Sequence, residues 1–282
     1  MLKGKWEWEI GPSQRVNGLI IKELWHYRHL CSSLVRRDFL LNYQQTVLGP
    51  VWILIQPILT LITYVLVFGK MVQIPTGSIP PVLFYFSGIV LWNFFSDSFG
   101  GTSNTFRENV HIFSKVYFPR LVMPISVLCT QFLRFLIQLG LLLLIIGYYI
   151  IFKGFHFTLT AWIFTLPLVV LAVGAIGLSM GLIFSVLTAK YRDMGSFVTL
   201  GLRLLMFVTP VIYPLASVPE KLRWIVQVNP LSPFFELFRF SLLGNGYLSP
   251  THLMYSSIFL LAALILSVLL FNKQGDKLID VV

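Results

Sequence analysis

Two opposite charges three residues apart, Glu236 and Arg239, interrupt the apolar stretch PLSPFFELFRFSLLG, residues 230–244. Their spacing lets them pair on one helix face. Phe234 and Phe238 are four apart and share a face, while Phe235 turns about 100° away. This spacing predicts that Phe234 and Phe238 border an open path and that Phe235 packs inward. Three more charges break long apolar runs: Asp97, Arg134 and Arg203. Such a side chain costs about 2.5–3.5 kcal/mol near a bilayer centre, which marks it as a position with a task and a partner. His26 and His29 are spaced i, i+3 and read as a solvated face rather than a metal pair. The sequence holds no GxxxxGK[ST] phosphate loop, no GxSxG, no HExxH and no paired carboxylates beside the apolar runs. No catalytic residue, no metal ligand and no cofactor is therefore assigned to this chain.

These residues need a membrane to give them meaning. The chain has 282 residues, 56% hydrophobic and only 11% charged, with a mean hydropathy of +0.81. A soluble domain carries about 25% charged residues. The expected fold is thus an all-α polytopic membrane protein. Six transmembrane helices are predicted, at 51–69, 82–101, 121–152, 160–187, 196–213 and 252–271. The third is long for one crossing and predicts tilt or a projecting end. The GLSMG run at 177–181 permits close helix approach, within one chain or between two. Around this core, residues 1–50 form a cytoplasmic N-terminal segment, 51–271 the six-span domain and 272–282 a cytoplasmic tail. The start of the chain shows no apolar region of a cleaved signal peptide. Cys31 and Cys129 suggest neither a disulfide framework nor a zinc site.

Charge fixes the direction. With the N-terminus inside, the segments on the cytoplasmic side hold 14 Lys and Arg, and those outside hold 5. This bias predicts both termini in the cytoplasm and explains the net charge of +10 without nucleic acid. At ~1.5 Å per residue, Asp97 and Arg203 lie roughly 8 and 10 Å from the inner face, so they are expected to pair. Arg134 lies ~20 Å deep by the same rise, with no carboxylate at its level. It is left for a wet cavity, backbone carbonyls or a substrate headgroup.

Two shorter elements flank the spans. In SLVRRDFLLNYQQTVLG, 33–49, Val35, Phe39, Tyr43 and Val47 recur every fourth residue, with Arg37, Asp38, Asn42, Gln44 and Gln45 opposite. That pattern predicts an amphipathic helix lying in the cytoplasmic interface. Between the fifth and sixth spans, SVPEKLRWIVQV and the 230–244 stretch read as two short helices. Pro233 starts the second and Gly244 ends it. An apolar pair of this kind suits a re-entrant helical hairpin on the outer side, where it is buried in protein or lines a cavity.

RRDFLLNYQQTVLGPVWILIQP (36–57), FSKVYFPRLVMP (113–124), KYRDM (190–194), TPVIYP (209–214) and NPLSPFFELFR (229–239) follow one another among the spans. With these motifs the chain resembles the permease subunits of ABC-2 type polysaccharide exporters. The likeness is greatest to the O-antigen, lipopolysaccharide branch; capsule and teichoic acid exporters are related. The resemblance implies a homodimer in the bacterial cytoplasmic (inner) membrane, joined to two cytoplasmic ATPase subunits that bind the ATP and Mg. It implies a lipid-linked polysaccharide as cargo. Coupling to the ATPases is expected at Arg37, Asp38, Arg107, Glu108, Lys115, Lys190, Tyr191, Arg192 and Asp193. The lipid-borne pyrophosphate is expected at Arg36, Arg37, Lys115 and Arg120. Aromatic rings offer sugar rings contact at low entropy cost; Tyr85, Trp92, Phe95, Tyr213, Trp224, Phe234 and Phe238 are the candidates for the channel. The chain departs from the family's usual pattern at Asn42, where a basic residue is common, and at Arg134, near the place of a common Asp. The same architecture could instead serve lipid, drug or another glycopolymer. A membrane-embedded transferase would need a His or carboxylate cluster at one membrane face, and the sequence has none.

Overall fold

The computed structural model describes residues 24–41, 43–109, 118–154, 161–191 and 193–278, with side chains as far as Phe271. Among them every regular element is helical. Helix α1 is Arg28–Leu41. A 3-10 turn, Gly49–Val51, opens α2, Trp52–Tyr64, which continues as a π-helical segment to Met71. The rest are α3 (Pro81–Ser103), α4 (Thr105–Glu108), α5 (Val122–Lys153), α6 (Leu166–Lys190), α7 (Met194–Val208), α8 (Glu220–Val228), α9 (Ser232–Leu243) and α10 (Pro250–Leu278). Among the described residues, five helical stretches are long and apolar enough to cross a membrane: Gly49–Met71, Pro81–Ser103, Val122–Lys153, Ala161–Lys190 and Pro250–Phe271.

The span expected at 196–213 is shorter than its apolar run. Helix α7 stops at Val208 rather than 213, after 15 residues or ~22 Å. Pro210 is the cause: the residue before a proline is pushed out of the α region, and Thr209 is extended with φ −92° and ψ 140°. Residues 209–212 are buried all the same, as a non-helical turn. Helix α5 is the opposite case. Its 32 residues span ~48 Å against a hydrocarbon core of about 30 Å. Its first turns carry α1, through Leu34 against Phe118, Val122 and Met123. Its far end is closed by Gly154 in the left-handed region, φ 63°.

Helix α3 is the axis of the bundle. It is buried over most of its circumference, with 16 of its residues buried, and only the side of Asn93, Ser96, Asp97 and Gly100 is partly open. Helix α6 lies against it through Gly174, Gly177 and Gly181. A Cβ at Gly177 would stand 3.1 Å from Ser98 Cβ and 3.2 Å from the Phe95 carbonyl, and one at Gly174 would stand 2.8 Å from a Phe94 ring carbon. The GLSMG run therefore serves packing inside the chain. At the α1 end of the bundle, Thr188 donates a hydrogen bond to the Ser103 carbonyl and ties the two helices again. Helix α9 is inserted among α3, α6 and α10, with every residue buried except Phe240. Gly244, φ 74°, caps it.

Candidate functional site

At one end of the bundle, the polar residues of α1, α4 and the start of α7 meet. Arg37 pairs with Asp38 at 2.7 Å and reaches Asn109 at 3.5 Å. Asp38 acts on Glu108, as does Arg107. A Cβ at Gly195 would lie 3.3 Å from Arg107 Nη1 and 3.6 Å from Asn104 Oδ1, so Arg107 rests on the first turn of α7. Burial pushes the Glu108 carboxyl above its ordinary value; Arg107 opposes the shift and Asp38 adds to it. Phe106, between these groups, stacks on Phe271 at 5.1 Å and so reaches the last long helix. Lys190 lies over the Tyr191 ring at 5.1 Å, and Asp193 is exposed. Three chain-distant segments expected to couple to a partner thus form one surface. Arg36 is exposed and Arg120 half-buried; Lys115 and Arg192 lie outside the described residues.

The stripe read along 33–49 does not run its length. Helix α1 ends at Leu41, and Val47 is fully exposed. The face that packs carries Tyr27, Leu30, Cys31 and Leu34. Phe39 and Tyr43 keep an edge contact, centroids 5.3 Å apart.

The intramembrane charges are arranged differently from their expected depths. Asp97 and Arg203 do not pair. Leu202 is the residue that faces α3, 3.7 Å from a Cβ built on Gly100, and one step along a helix turns Arg203 about 100° away. Arg203 is exposed on α7. Asp97 instead feels Arg134, the residue for which no carboxylate was expected. Because α5 outreaches a bilayer, counting depth from its first residue placed Arg134 too deep. Arg134 donates to Gln131 at 3.2 Å and lies over the Tyr43 ring at 5.5 Å; its buried Nε has no partner among the described residues. Asp97 has many protein atoms around it, yet its side chain stays accessible.

Most rings expected to line a channel are core. Tyr85, Trp92 and Phe95 are buried on α3, away from its partly open side at Asn93, Ser96, Asp97 and Gly100. Phe234, Phe235 and Phe238 are 6%, 1% and 1% exposed, so the division into path-facing and packed rings does not occur. Phe238 meets Phe135, and Phe235 meets Trp92. Tyr213 is half-buried and donates to the Phe207 carbonyl at 2.7 Å. Trp224, at 62% exposure, is open. What the sequence reading missed are two polar stripes on apolar helices. Gln56, Thr60 and Thr63 run along the open side of α2, and Ser196, Thr199 and Arg203 along that of α7. Their spacings of i, i+4, i+7 and i, i+3, i+7 are one-face patterns that were legible. The two helices meet at Tyr64 Oη and Met206 Sδ, 3.4 Å apart.

At the other end, the α8–α9 pair is locked to the turn after α7. Asn229 donates to Thr209 Oγ1 at 2.8 Å and accepts from the Leu231 N–H at 3.0 Å. Arg239 donates to the Val211 carbonyl at 2.8 Å, sits 3.9 Å from the Phe84 ring centroid and pairs with Glu236 at 3.5 Å. Glu236 also accepts from the Tyr247 N–H at 3.0 Å. The expected Glu236–Arg239 pair is therefore formed, and it is buried. Gly88 makes room for it: a Cβ there would lie 2.6 Å from the Val211 carbonyl and 2.8 Å from Arg239 Nη2.

Residues 29–243 match the family described as ABC-2 type transporter. The chain is 29% identical over 254 residues to the O-antigen export system permease protein RfbA of Klebsiella pneumoniae, covering 88% of this chain and 93% of that one. It is 31% identical over 202 residues to the protein of the same name from Myxococcus xanthus, 72% and 75% of the two chains. It is 25% identical over 249 residues to the polysialic acid transport protein KpsM of Escherichia coli, 88% and 94% of the two chains.

Proposed function

The chain belongs to the ABC-2 type transporter family, and from that premise we propose that it is the membrane-spanning subunit of an ATP-driven exporter of lipid-linked, O-antigen-like polysaccharide. The observation that carries this reading is the similarity to O-antigen export permeases over 88% of this chain and 93% of theirs. The similarity to a polysialic acid transport protein makes a capsule-like glycopolymer the second cargo to test.

In this reading two copies stand side by side in the bacterial inner membrane with both termini in the cytoplasm. Helix α7 is the remaining crossing of the six, short and completed by the buried turn at 209–212. The α8–α9 pair is a re-entrant hairpin on the outer side, which suits a short helix buried in protein. Helix α1 is the interface helix. The α2 and α7 stripes face the second copy across a wet path, since polar groups are costly against lipid. Their hydroxyls and amide suit a chain rich in hydroxyls, and Trp224 and Tyr213 stand at its outer mouth. Residues 1–50 and 272–282 belong to the cytoplasmic side.

ATP and Mg are bound by two separate ATPase subunits, which dock on the surface made by Arg37, Asp38, Arg107, Glu108 and Asp193, with Lys190 and Tyr191 beside it. Lys115 and Arg192 extend this surface on sequence grounds. Arg36 and Arg120, on the same side, meet the lipid-borne pyrophosphate.

The test is complementation. In a strain lacking its O-antigen permease, this chain with its own ATPase restores surface polysaccharide, and without that ATPase it does not. The purified chain alone hydrolyses no ATP. Surface capsule but no O-antigen in matched strains would move the cargo to the second reading; ATP turnover by the isolated chain would refute the permease role.

A further inference from the structure

We infer that Arg203 of one copy forms an ion pair with Asp97 of a second copy, so that each protomer's charge is completed by its partner. This rests on the dimer reading above and adds the contact that joins the two copies inside the membrane.

Arg203 is exposed on an apolar helix and makes no ion pair within its own chain among the described residues. A guanidinium at membrane depth does not face lipid; it meets a partner or a wet cavity. The described carboxylates within reach of a bilayer interior are few. Glu236 is occupied by Arg239 and the Tyr247 N–H. Asp38, Glu108, Asp193 and Glu220 lie at or beyond the ends of the crossing helices. Asp97 remains. It is accessible, has no ion pair within its own chain among the described residues, and shares its surroundings with an Arg134 whose contacts go to Gln131 and Tyr43.

The levels agree. Leu202 faces Gly100 and the two helices run in opposite directions, so Arg203 lies ~3 Å from the level of Asp97. An arginine side chain spans that distance. Within the chain the direction is wrong, because Leu202 occupies the side of α7 that faces α3. A twofold axis along the membrane normal keeps depth and reverses direction, which brings Arg203 of the second copy to the right height. Such an interface is self-complementary, so the contact forms twice. It also sets the α2 and α7 stripes of both copies around one lining.

The test uses two differently tagged copies expressed together with the ATPase. One carries Asp97→Lys, the other Arg203→Glu. Each alone places like charges at both contacts. Mixed, they restore opposite charges at both: the introduced lysine meets the introduced glutamate, and the native Asp97 meets the native Arg203. Export by the mixture should therefore exceed either alone by about tenfold, the scale of coupling between contacting groups. A pair within one chain would leave the mixture as inactive as its parts. If either variant is poorly produced, a second arm decides. In a Cys31→Ser, Cys129→Ser background, Asp97→Cys on one tagged copy and Arg203→Cys on the other should give an oxidant-induced, disulfide-linked mixed dimer. Wild-type tagged copies that co-purify while the mixture stays inactive and no crosslink forms would overturn the pair and leave the dimer standing. Wild-type copies that do not co-purify would overturn both.

Discussion

Replacing Arg239 with Met removes the centre of the latch between α9, α3 and the turn after α7. The lost groups can be counted. The Val211 carbonyl loses a charged donor at 2.8 Å, worth about 1.5–3 kcal/mol. Phe84 loses a desolvated cation at 3.9 Å, worth about 2 kcal/mol. Glu236 loses its countercharge, and the ion pair itself is long at 3.5 Å. Against these losses stands the end of the desolvation penalty on a guanidinium that is 1% exposed. The net is the usual result of removing one partner from a buried pair, a cost of about 3–5 kcal/mol. At roughly 2–4 °C per kcal/mol for a chain of this size, the melting temperature should fall by roughly 10 °C. The double variant Glu236→Gln, Arg239→Met leaves no buried charge, and Gln still accepts from the Tyr247 N–H. It should cost only about 1–2 kcal/mol, because replacing both members of a buried pair is far milder than replacing one. Thermal unfolding of the detergent-solubilised protein, read beside amide exchange over 229–247, measures both. A double variant no more stable than Arg239→Met would refute the argument, since the penalty would then not come from a stranded carboxylate.

Glu108 supplies a pH signature. Its side chain is exposed at the surface, but the protein packed around it still raises its carboxyl above the ordinary value of 4.5, so the fold prefers the protonated form by a margin that solvent keeps small. Stability from this group is fully present below pH 4.5 and is lost as pH rises through the raised value. Glu108→Gln should therefore leave stability at about pH 4 unchanged and increase it at about pH 8; an unchanged pH profile of unfolding would show that the burial has no energetic weight. Orientation is checked with single cysteines in a Cys-less background. Ser78 and Ser217, both exposed near the hairpin end, should react with an impermeant maleimide added to intact cells, and Ser33 on α1 should not; the reverse pattern inverts the topology.

Where the sequence was legible, local rules decided the outcome. Glu236 and Arg239 pair because three residues of helix bring them together, and Gly244 ends α9 because only a residue at ease with φ 74° closes that turn. The spans at 121–152 and 160–187 appear within three residues of their expected limits, as Val122–Lys153 and Ala161–Lys190, because their apolar runs are long, with Arg134 the one charge inside the first. Pro210 was visible too, and a stricter use of it would have shortened the fifth span. The failures concern direction. A count of residues gave Asp97 and Arg203 the same depth but not the same azimuth, and Leu202 holds the side of α7 that pairing needed. Aromatic content suggested a channel lined by Tyr85, Trp92, Phe95, Phe234 and Phe238, yet each of these rings is buried and fills the core. Amphipathicity in a membrane inverts the usual inference. In water the polar face is the outer one, whereas here the outer faces of α5 and α10 are largely apolar and few polar residues are left to mark anything else. Gln56, Thr60, Thr63, Ser196, Thr199 and Arg203 are therefore the more informative residues. The threonines satisfy their hydroxyls on their own helix carbonyls, but Gln56 and Arg203 stand where lipid would disfavour them, on the open sides of two helices that touch each other at Tyr64 and Met206, and in the proposed dimer a second copy of the chain supplies the surface they lack.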